Sequence, residues 1–251
     1  MVRCCEQALH HGVLSFLEER KEIMNPELFG IEHILYIVIS AVLAVIMLLA
    51  AKKFAKTEKA QTVFLKSLAA VLFVSIMTNR LSQVFRYDDV RWYCIIPDSI
   101  CGMTSLMLSL GVLLGKKNNG VLHALWLTGL FGGISTVVYA TFLDQGASIF
   151  YLPTISGLLH HSFCAMLVVA LFLFRQIELT YKKWYWTAIG FLFYVTVGAF
   201  LMQTFDMSDA MHIAEPLLSD TPLTIWVMAP MYAVAYGLIL LFAEIIKKKR
   251  K

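Results

Sequence analysis

Hydrophobic residues in this chain fall into seven long runs that are separated by short polar segments. The runs cover residues 32–51, 63–85, 94–114, 121–142, 150–174, 184–202 and 223–246. A helix of about 20 apolar residues crosses the roughly 30 Å hydrocarbon core of a bilayer. Because every backbone polar group must be satisfied within lipid, spans of this length are helical. The pattern predicts an all-α integral membrane protein, built as a single bundle of about seven transmembrane helices.

The composition supports this class and excludes several others. The 251-residue chain is 59% hydrophobic and 15% charged, whereas a soluble domain carries about 25% charged residues. The formal charge of +4 does not indicate nucleic-acid binding, because the basic residues lie in short connections. The sequence holds no phosphate-binding, zinc-protease or dinucleotide motif, and its five cysteines match no zinc or disulfide pattern. We expect no cofactor and no metal, and membrane lipid as the partner.

Basic residues are concentrated in alternate connections, and this asymmetry predicts the orientation. One set carries Lys52, Lys53, Lys56, Lys59, Lys116, Lys117, Arg175, Lys182 and Lys183 and is continued by the basic tail 247–251. The other set has only Arg86 and Arg91, which are balanced by Asp88 and Asp89. Short basic connections stay on the cytoplasmic side. We therefore expect a multi-pass protein of the cell membrane, with its N-terminus outside and its C-terminus cytoplasmic.

The chain divides into three predicted segments. These are an N-terminal extension at 1–24, a transmembrane domain at 25–246 and a basic cytoplasmic tail at 247–251. The extension contains an amphipathic stretch, Gln7 to Glu22, that suits a helix on the membrane surface. In the alternative interpretation, translation starts at Met24 and the extension is not part of the native protein. The acidic connection 203–222 is expected to be a solvated outer loop.

Polar side chains within the apolar runs are concentrated in the outer half of the predicted bundle. From the rise of about 1.5 Å per residue, Arg80 lies about 8 Å deep, Asp98 and Cys101 about 6–10 Å deep, and the pair His160-His161 about 15 Å deep. Asn79 and Ser99 adjoin this group along the chain, and His33 lies at the outer end of the first span. Ionisable groups are costly at such depth, so these residues are candidates for a binding or catalytic site.

Each candidate also has a structural interpretation. Asp98 follows Pro97, which suits the first turn of a helix, and it could instead pair with Arg80 as a clamp between the second and third helices. Cys101 is either a small apolar packing residue or a thiol activated near a helix N-terminus. At least one of the two adjacent imidazoles should face the bundle interior. Glycines 129, 132 and 133 in the fourth run predict close approach of neighbouring helices.

Several short motifs resemble YwaF-like bacterial integral membrane proteins. They are the run Phe29-Gly30-Ile31-Glu32-His33-Ile34-Leu35-Tyr36, the Ile96-Pro97 opening of the third span with its Cys101, the His pair, and the stretch from Pro216 to Trp226. These bacterial proteins are similar to a vertebrate transmembrane acyltransferase that acts on ether phospholipids. The resemblance implies that Cys101 accepts an acyl group and that His160 or His161 is the base. One position departs from the family pattern, because Ser99 stands where that pattern has a histidine.

Three functions are compatible with these residues. The first is acyl transfer between lipids, with Cys101 as nucleophile and a histidine of the fifth span as base. The second is transport of a small molecule or ion, with Arg80, Asp98 and the His pair lining a polar cavity, although the sequence lacks the internal repeats typical of transporters. The third is a non-catalytic protein that binds lipid or a partner. In each case Arg80, Asp98, Ser99, Asn79 and His33 are the predicted binding residues.

Overall fold

The computed structural model describes residues 29–86, 90–140, 143, 148–218 and 220–249. These residues form seven α-helices: α1 (Ile31–Phe54), α2 (Glu58–Val84), α3 (Ile100–Leu113), α4 (Gly120–Val138), α5 (Leu152–Leu173), α6 (Tyr185–Phe205) and α7 (Ile225–Lys249). Two short 3₁₀ helices are at Trp92–Ile95 and Tyr181–Lys183. The helices pack as one all-α bundle, which confirms the predicted class. The predicted extension 1–24 and its surface helix lie outside the described residues.

Six of the seven helices are long and apolar enough to cross a membrane, and α3 is the exception. Its 14 residues correspond to about 21 Å of helix, which is less than the roughly 30 Å of a hydrocarbon core. The prediction of a continuous third span over 94–114 is therefore wrong at its outer end. Pro97 supplies the reason, because a proline disfavours helical geometry at the residue before it. Ile96 is accordingly extended, with φ −83° and ψ 125°.

The bundle has a central group of four helices and three helices around it. Helices α2, α3, α4 and α5 pack against one another, α6 packs on α4, and α7 packs on α6. Helix α1 packs chiefly against α5, and among its residues only His33 and Ala51 are buried. The first residues of α1, α3, α5 and α7 lie at the end that the predicted topology places outside. This end is called the outer end below.

Two glycines allow α4 to lie close to its neighbours. A β-carbon at Gly133 would be 2.8 Å from the carbonyl oxygen of His161, and one at Gly129 would be 2.6 Å from Leu108 Cδ1. Both separations are shorter than the optimal contact distance of 3.5–4.0 Å between carbon atoms. The expected role of these glycines in close helix approach is confirmed, and α4 is thereby held between α3 and α5.

The connection between α6 and α7 folds back over the outer end of the bundle. Ala210 and Met211 are buried, so the expectation of a solvated loop is wrong for this part of 203–222. The Met211 amide donates to the Asp98 carbonyl at 2.7 Å, and the Ile225 amide donates to the His212 carbonyl at 2.8 Å. Met211 and His212 both have positive φ angles, of 57° and 55°, which are uncommon for residues other than glycine. The first of these backbone hydrogen bonds holds the reversal against the start of α3, and the second holds it against the start of α7.

Candidate functional site

A cavity of about 240 Å³ lies in the outer half of the bundle and is lined by residues of every helix except α1. Its polar lining consists of Asn79, Arg80, Gln83, Ser99, Cys101, Thr128, Ser135, Thr136, His160, His161, His212 and Tyr232. Apolar side chains complete the wall, and they include Phe191, Leu217 and Met228. Six of the residues selected from the sequence are thus brought to one cavity, although they come from three separate stretches of the chain.

Ser99 immediately precedes α3 and fixes where the helix, and with it Cys101, begins. The Ser99 hydroxyl oxygen accepts a hydrogen bond from the Gly102 amide at 3.2 Å, and the Ser99 carbonyl accepts one from the Met103 amide at 3.0 Å. Ser99 is therefore the N-cap, a position where serine is strongly preferred. Cys101 is the second residue of the helix, within the turn where backbone N–H groups lack intrahelical partners and the helix dipole is positive.

The Cys101 thiol and the His161 imidazole contact the same residue of α4. A β-carbon at Gly132 would be 2.8 Å from Cys101 Sγ, so the sulfur lies directly against this glycine. The imidazole of His161 donates a hydrogen bond to the Gly132 carbonyl oxygen. In a neutral imidazole, one nitrogen that donates leaves the other with a free lone pair. The thiol also shares a hydrogen bond with Thr136, one turn further along α4.

His160 is held by α3. Its Nδ1 lies 3.2 Å from the Ser105 hydroxyl oxygen, and Ser105 also shares a hydrogen bond with Cys164. The rings of His160 and His161 are 4.1 Å apart between centroids. Both imidazoles are buried, at 3% and 5% exposure, so both face the bundle interior where at least one was expected.

Arg80 connects three helices at the outer rim of the cavity. Its Nη1 donates to Asp98 Oδ1 at 3.0 Å, which confirms the predicted pairing between the second and third helices. Its Nη2 and Nε donate to Asn79 Oδ1 at 2.8 and 3.3 Å. Asn79 Nδ2 in turn donates to the Pro153 carbonyl at 3.0 Å and to Ser156 Oγ at 3.2 Å. This network ties α2 to the start of α3 and to the first turn of α5.

Two residues selected from the sequence do not line the cavity. Asp98 precedes the N-cap of α3, so its predicted place in the first helical turn is wrong, and it reaches the rim only through Arg80. His33 lies between α1 and α4, where its Nε2 is 2.9 Å from the Val137 carbonyl oxygen. Its Nδ1 accepts a hydrogen bond from the Phe29 amide at 3.2 Å. His33 therefore attaches α1 to the bundle.

Other residues of the site were not selected from the sequence: Thr136 and His212 line the cavity, and Ser105 contacts the cavity residue His160. Ser105 and Thr136 are short polar side chains within apolar runs. Neither lies at a spacing from other polar residues that would identify it as part of a site. His212 was not selected because the acidic connection 203–222 was expected to be a solvated loop. Its Nδ1 is 3.9 Å from Asp209 Oδ2. Burial lowers the pKa of His212 below its usual 6.5, although the carboxylates of Asp209 and Asp98 oppose this change.

These features define a multi-pass, α-helical membrane protein with a polar cavity enclosed in the outer half of its bundle. The chain belongs to the TMEM164 family of transmembrane proteins, whose family model matches residues 28–246. The match includes all of α1 to α6 and most of α7. No curated protein and no solved structure matches the chain. The finer resemblance to YwaF-like proteins, and through them to an acyltransferase, stays a prediction.

Proposed function

We propose that the protein transfers acyl groups between membrane lipids, with Cys101 as the nucleophile and His161 as the general base. One observation carries this proposal. A single cavity at lipid depth contains a thiol in the first turn of a helix and an imidazole oriented by a backbone carbonyl, and both contact Gly132. An activated nucleophile needs a base nearby and a third group that orients the base. Here the Gly132 carbonyl is that third group.

The first half-reaction forms an acyl-enzyme. His161 accepts the thiol proton while Cys101 Sγ attacks the ester carbonyl carbon of a phospholipid. The carbon–sulfur bond forms, the ester carbon–oxygen bond breaks, and the imidazolium returns the proton to the leaving glycerol oxygen. The products are a thioester on Cys101 and a lysolipid.

The second half-reaction reverses these roles with a different lipid. The hydroxyl of an acceptor lysolipid attacks the thioester carbonyl carbon, and the carbon–oxygen bond forms as the carbon–sulfur bond breaks. His161 accepts the hydroxyl proton and passes it to the departing sulfur. The cycle conserves atoms and charge, and it uses only the two lipids and the protein side chains.

Several groups around the thiol support this chemistry. The first-turn N–H groups of α3 and the guanidinium of Arg80 are donors of the kind that stabilise a developing oxyanion. His160 is a positioning residue, because Ser105 holds it and its ring packs against that of His161. Ser99 occupies the place where the resembling family has a histidine, and its side chain caps α3. The base in this protein is therefore supplied by α5.

Transport receives less support from the packing beneath the cavity. Leu108, Leu167 and Leu171 are completely buried in the cytoplasmic direction from Cys101 and His161. Protein interiors are packed as densely as organic crystals. A solute in the cavity would have to open this layer in order to cross the bundle.

An acyl-exchange assay tests the proposal. The purified protein in nanodiscs receives a phospholipid with an isotopically labelled acyl chain and an unlabelled lysophospholipid, and mass spectrometry follows the label. Cys101→Ala is expected to abolish transfer, and His161→Gln to lower the rate by about 10²–10⁴-fold. Cys94→Ala is the matched control, because this thiol lies outside the cavity lining and should not be needed.

Two results would contradict the proposal. Transfer at the wild-type rate in Cys101→Ala would exclude this thiol as the nucleophile. If the wild-type protein binds lysophospholipid in the cavity but forms neither thioester nor exchanged product, the non-catalytic lipid-binding alternative is favoured. Thermal unfolding of each variant distinguishes loss of chemistry from loss of the fold.

A further inference from the structure

A second and larger groove lies on the opposite side of α5, between α5 and α1. Its volume is about 440 Å³, and apolar side chains dominate its lining. Helix α1 contributes residues between Glu32 and Met47, and α5 contributes residues between Ile155 and Met166. Ile39 and Leu43 line the groove and are nevertheless 54% and 52% exposed. The groove is therefore open laterally, towards the lipid that surrounds a membrane protein.

The charged group of this groove, the Glu32 carboxylate, lies at its outer end, whereas the hydroxyl groups of Tyr36, Ser40 and Ser162 lie deeper. The Glu32 carboxylate accepts hydrogen bonds from the Ile149 amide at 2.9 Å and from the Ser148 hydroxyl at 3.2 Å. About one turn deeper, the Tyr36 hydroxyl lies 2.9 Å from the Ser162 hydroxyl oxygen. From Glu32 to Met47 the groove follows α1 for about 22 Å. This length exceeds half of the roughly 30 Å hydrocarbon core, so it accommodates an acyl chain of one leaflet.

Glu32 is held in place but is not neutralised. Its two hydrogen-bond donors are uncharged, and no ion pair with Glu32 occurs among the residues that the structure describes. A fixed carboxylate at the rim of a membrane groove attracts a cation and repels an anion. An ammonium group on a lipid headgroup meets this requirement, whereas the net negative headgroup of an anionic phospholipid does not.

We propose that the groove between α1 and α5 binds a zwitterionic phospholipid, with its headgroup ammonium at Glu32 and one acyl chain along the apolar part of the groove. The site is separate from the cavity that holds Cys101. His161 and Ser162 are consecutive residues of α5, yet His161 lines the cavity and Ser162 lines the groove. Helix α5 stands between the two sites, so this proposal does not rest on acyl transfer.

Native mass spectrometry of lipids retained by the purified protein tests the proposal. The protein is incubated with equal amounts of phosphatidylethanolamine, phosphatidylcholine and phosphatidylglycerol that carry identical acyl chains. The two zwitterionic lipids are expected to be retained about fivefold more than phosphatidylglycerol, which corresponds to about 1 kcal/mol for one charge contact in water. Glu32→Gln should remove this preference.

A pair of substitutions on α1 tests the position of the acyl chain. Ala44→Phe fills the groove while leaving Glu32 and its hydrogen bonds intact, and it should abolish the preference for zwitterionic lipids. Val45→Phe is the matched control, because Val45 is 56% exposed and does not line the groove. Cys101→Ala should retain the lipid, which separates this site from the proposed catalytic cavity.

Either of two results would overturn the proposal. One is equal retention of phosphatidylglycerol and the zwitterionic lipids by the wild-type protein. The other is a wild-type preference for zwitterionic lipids in Ala44→Phe, because a filled groove cannot hold an acyl chain. Since Ala44→Phe does not alter Glu32, the test remains decisive even if Glu32→Gln loosens α1.

Discussion

Gly132 is the residue at which the proposed nucleophile and base meet, so its replacement by alanine tests the site directly. The added methyl would lie 2.8 Å from Cys101 Sγ, and its next nearest neighbour outside α4 is Cys101 Cβ at 3.9 Å. The optimal separation of such atoms is about 3.5–4.0 Å. The thiol must therefore move by about 1 Å, whereas the helices can keep their positions because the strain falls on one short side chain.

The expected effects on stability and on chemistry differ greatly in size. An off-rotamer side chain costs about 0.5–1.5 kcal/mol, while glycine to alanine in a helix gains about 0.8–1.0 kcal/mol. These contributions nearly cancel, so the free energy of unfolding of Gly132→Ala should change by less than about 1 kcal/mol. A misplacement of about 1 Å at a reacting atom costs on the order of 10² in rate. We expect a folded variant whose acyl transfer is about a hundredfold slower.

The assay compares Gly132→Ala with Gly237→Ala, a second helical glycine whose added β-carbon would meet nothing within 4 Å. Thermal unfolding by circular dichroism gives the stability of each variant, and exchange of a labelled acyl chain gives its activity. Gly237→Ala should be slightly stabilised and fully active. Wild-type activity in Gly132→Ala would refute the proposed contact between Cys101 and this glycine, and an equal loss in Gly237→Ala would show that the effect is not local.

Three further predictions concern the rim of the cavity. Arg80→Ala breaks the ion pair with Asp98 and two bonds to Asn79, so it should lower the free energy of unfolding by about 1–3 kcal/mol; Asp98→Asn should cost less because Asp98 is 47% exposed. A double-mutant cycle measures their coupling, and additive effects would contradict the clamp. Ser99→Ala removes the N-cap and should cost about 1 kcal/mol, whereas Ser99→Asp should keep the stability; equal losses in thermal unfolding would argue against capping. Burial lowers the pKa of His212 below 6.5, so the folded connection favours the neutral ring, and its stability is complete above pH 6.5 and falls as the pH decreases. The hydrogen-exchange protection factors of residues 206–218, which are corrected for the pH dependence of the intrinsic exchange rate, should therefore be lower at pH 5 than at pH 7.5, and His212→Gln should remove this dependence; pH-independent protection in the wild type would contradict it.

Much of the site could be predicted because polar groups are rare and costly at membrane depth. Asn79, Arg80, Cys101 and the two histidines stood out against apolar surroundings, and all of them line the cavity. His33 satisfied the same criterion and is absent from the lining. The sequence does not distinguish a buried histidine that hydrogen-bonds a neighbouring carbonyl from one that faces a cavity, because the two differ only in their three-dimensional surroundings. Depth along a helix could be counted from the sequence, whereas the direction of each side chain around the bundle could not.

Shared contacts were the part of the site that sequence spacing could not reveal. Gly132 is 31 residues from Cys101 and 29 from His161 along the chain, and no local pattern relates them. Ser105 and Thr136 were equally hidden, because a short hydroxyl side chain can also bond the carbonyl of the preceding helical turn. Whether such a hydroxyl bonds its own helix or reaches another helix depends on how closely the two helices approach.

The sequence by itself determined the membrane class and the number of helices, and it gave the clamp between Arg80 and Asp98 as one of two alternatives. These features follow from the cost of exposing polar groups to lipid, which acts on each residue according to its depth. The tertiary structure alone decided that Ser99 is the N-cap of α3, that part of the connection between α6 and α7 is buried, and that Cys101 and His161 both contact Gly132. The reason is that helix packing fixes contacts between residues far apart in the chain, and hydrophobic periodicity does not show which helix faces pack together.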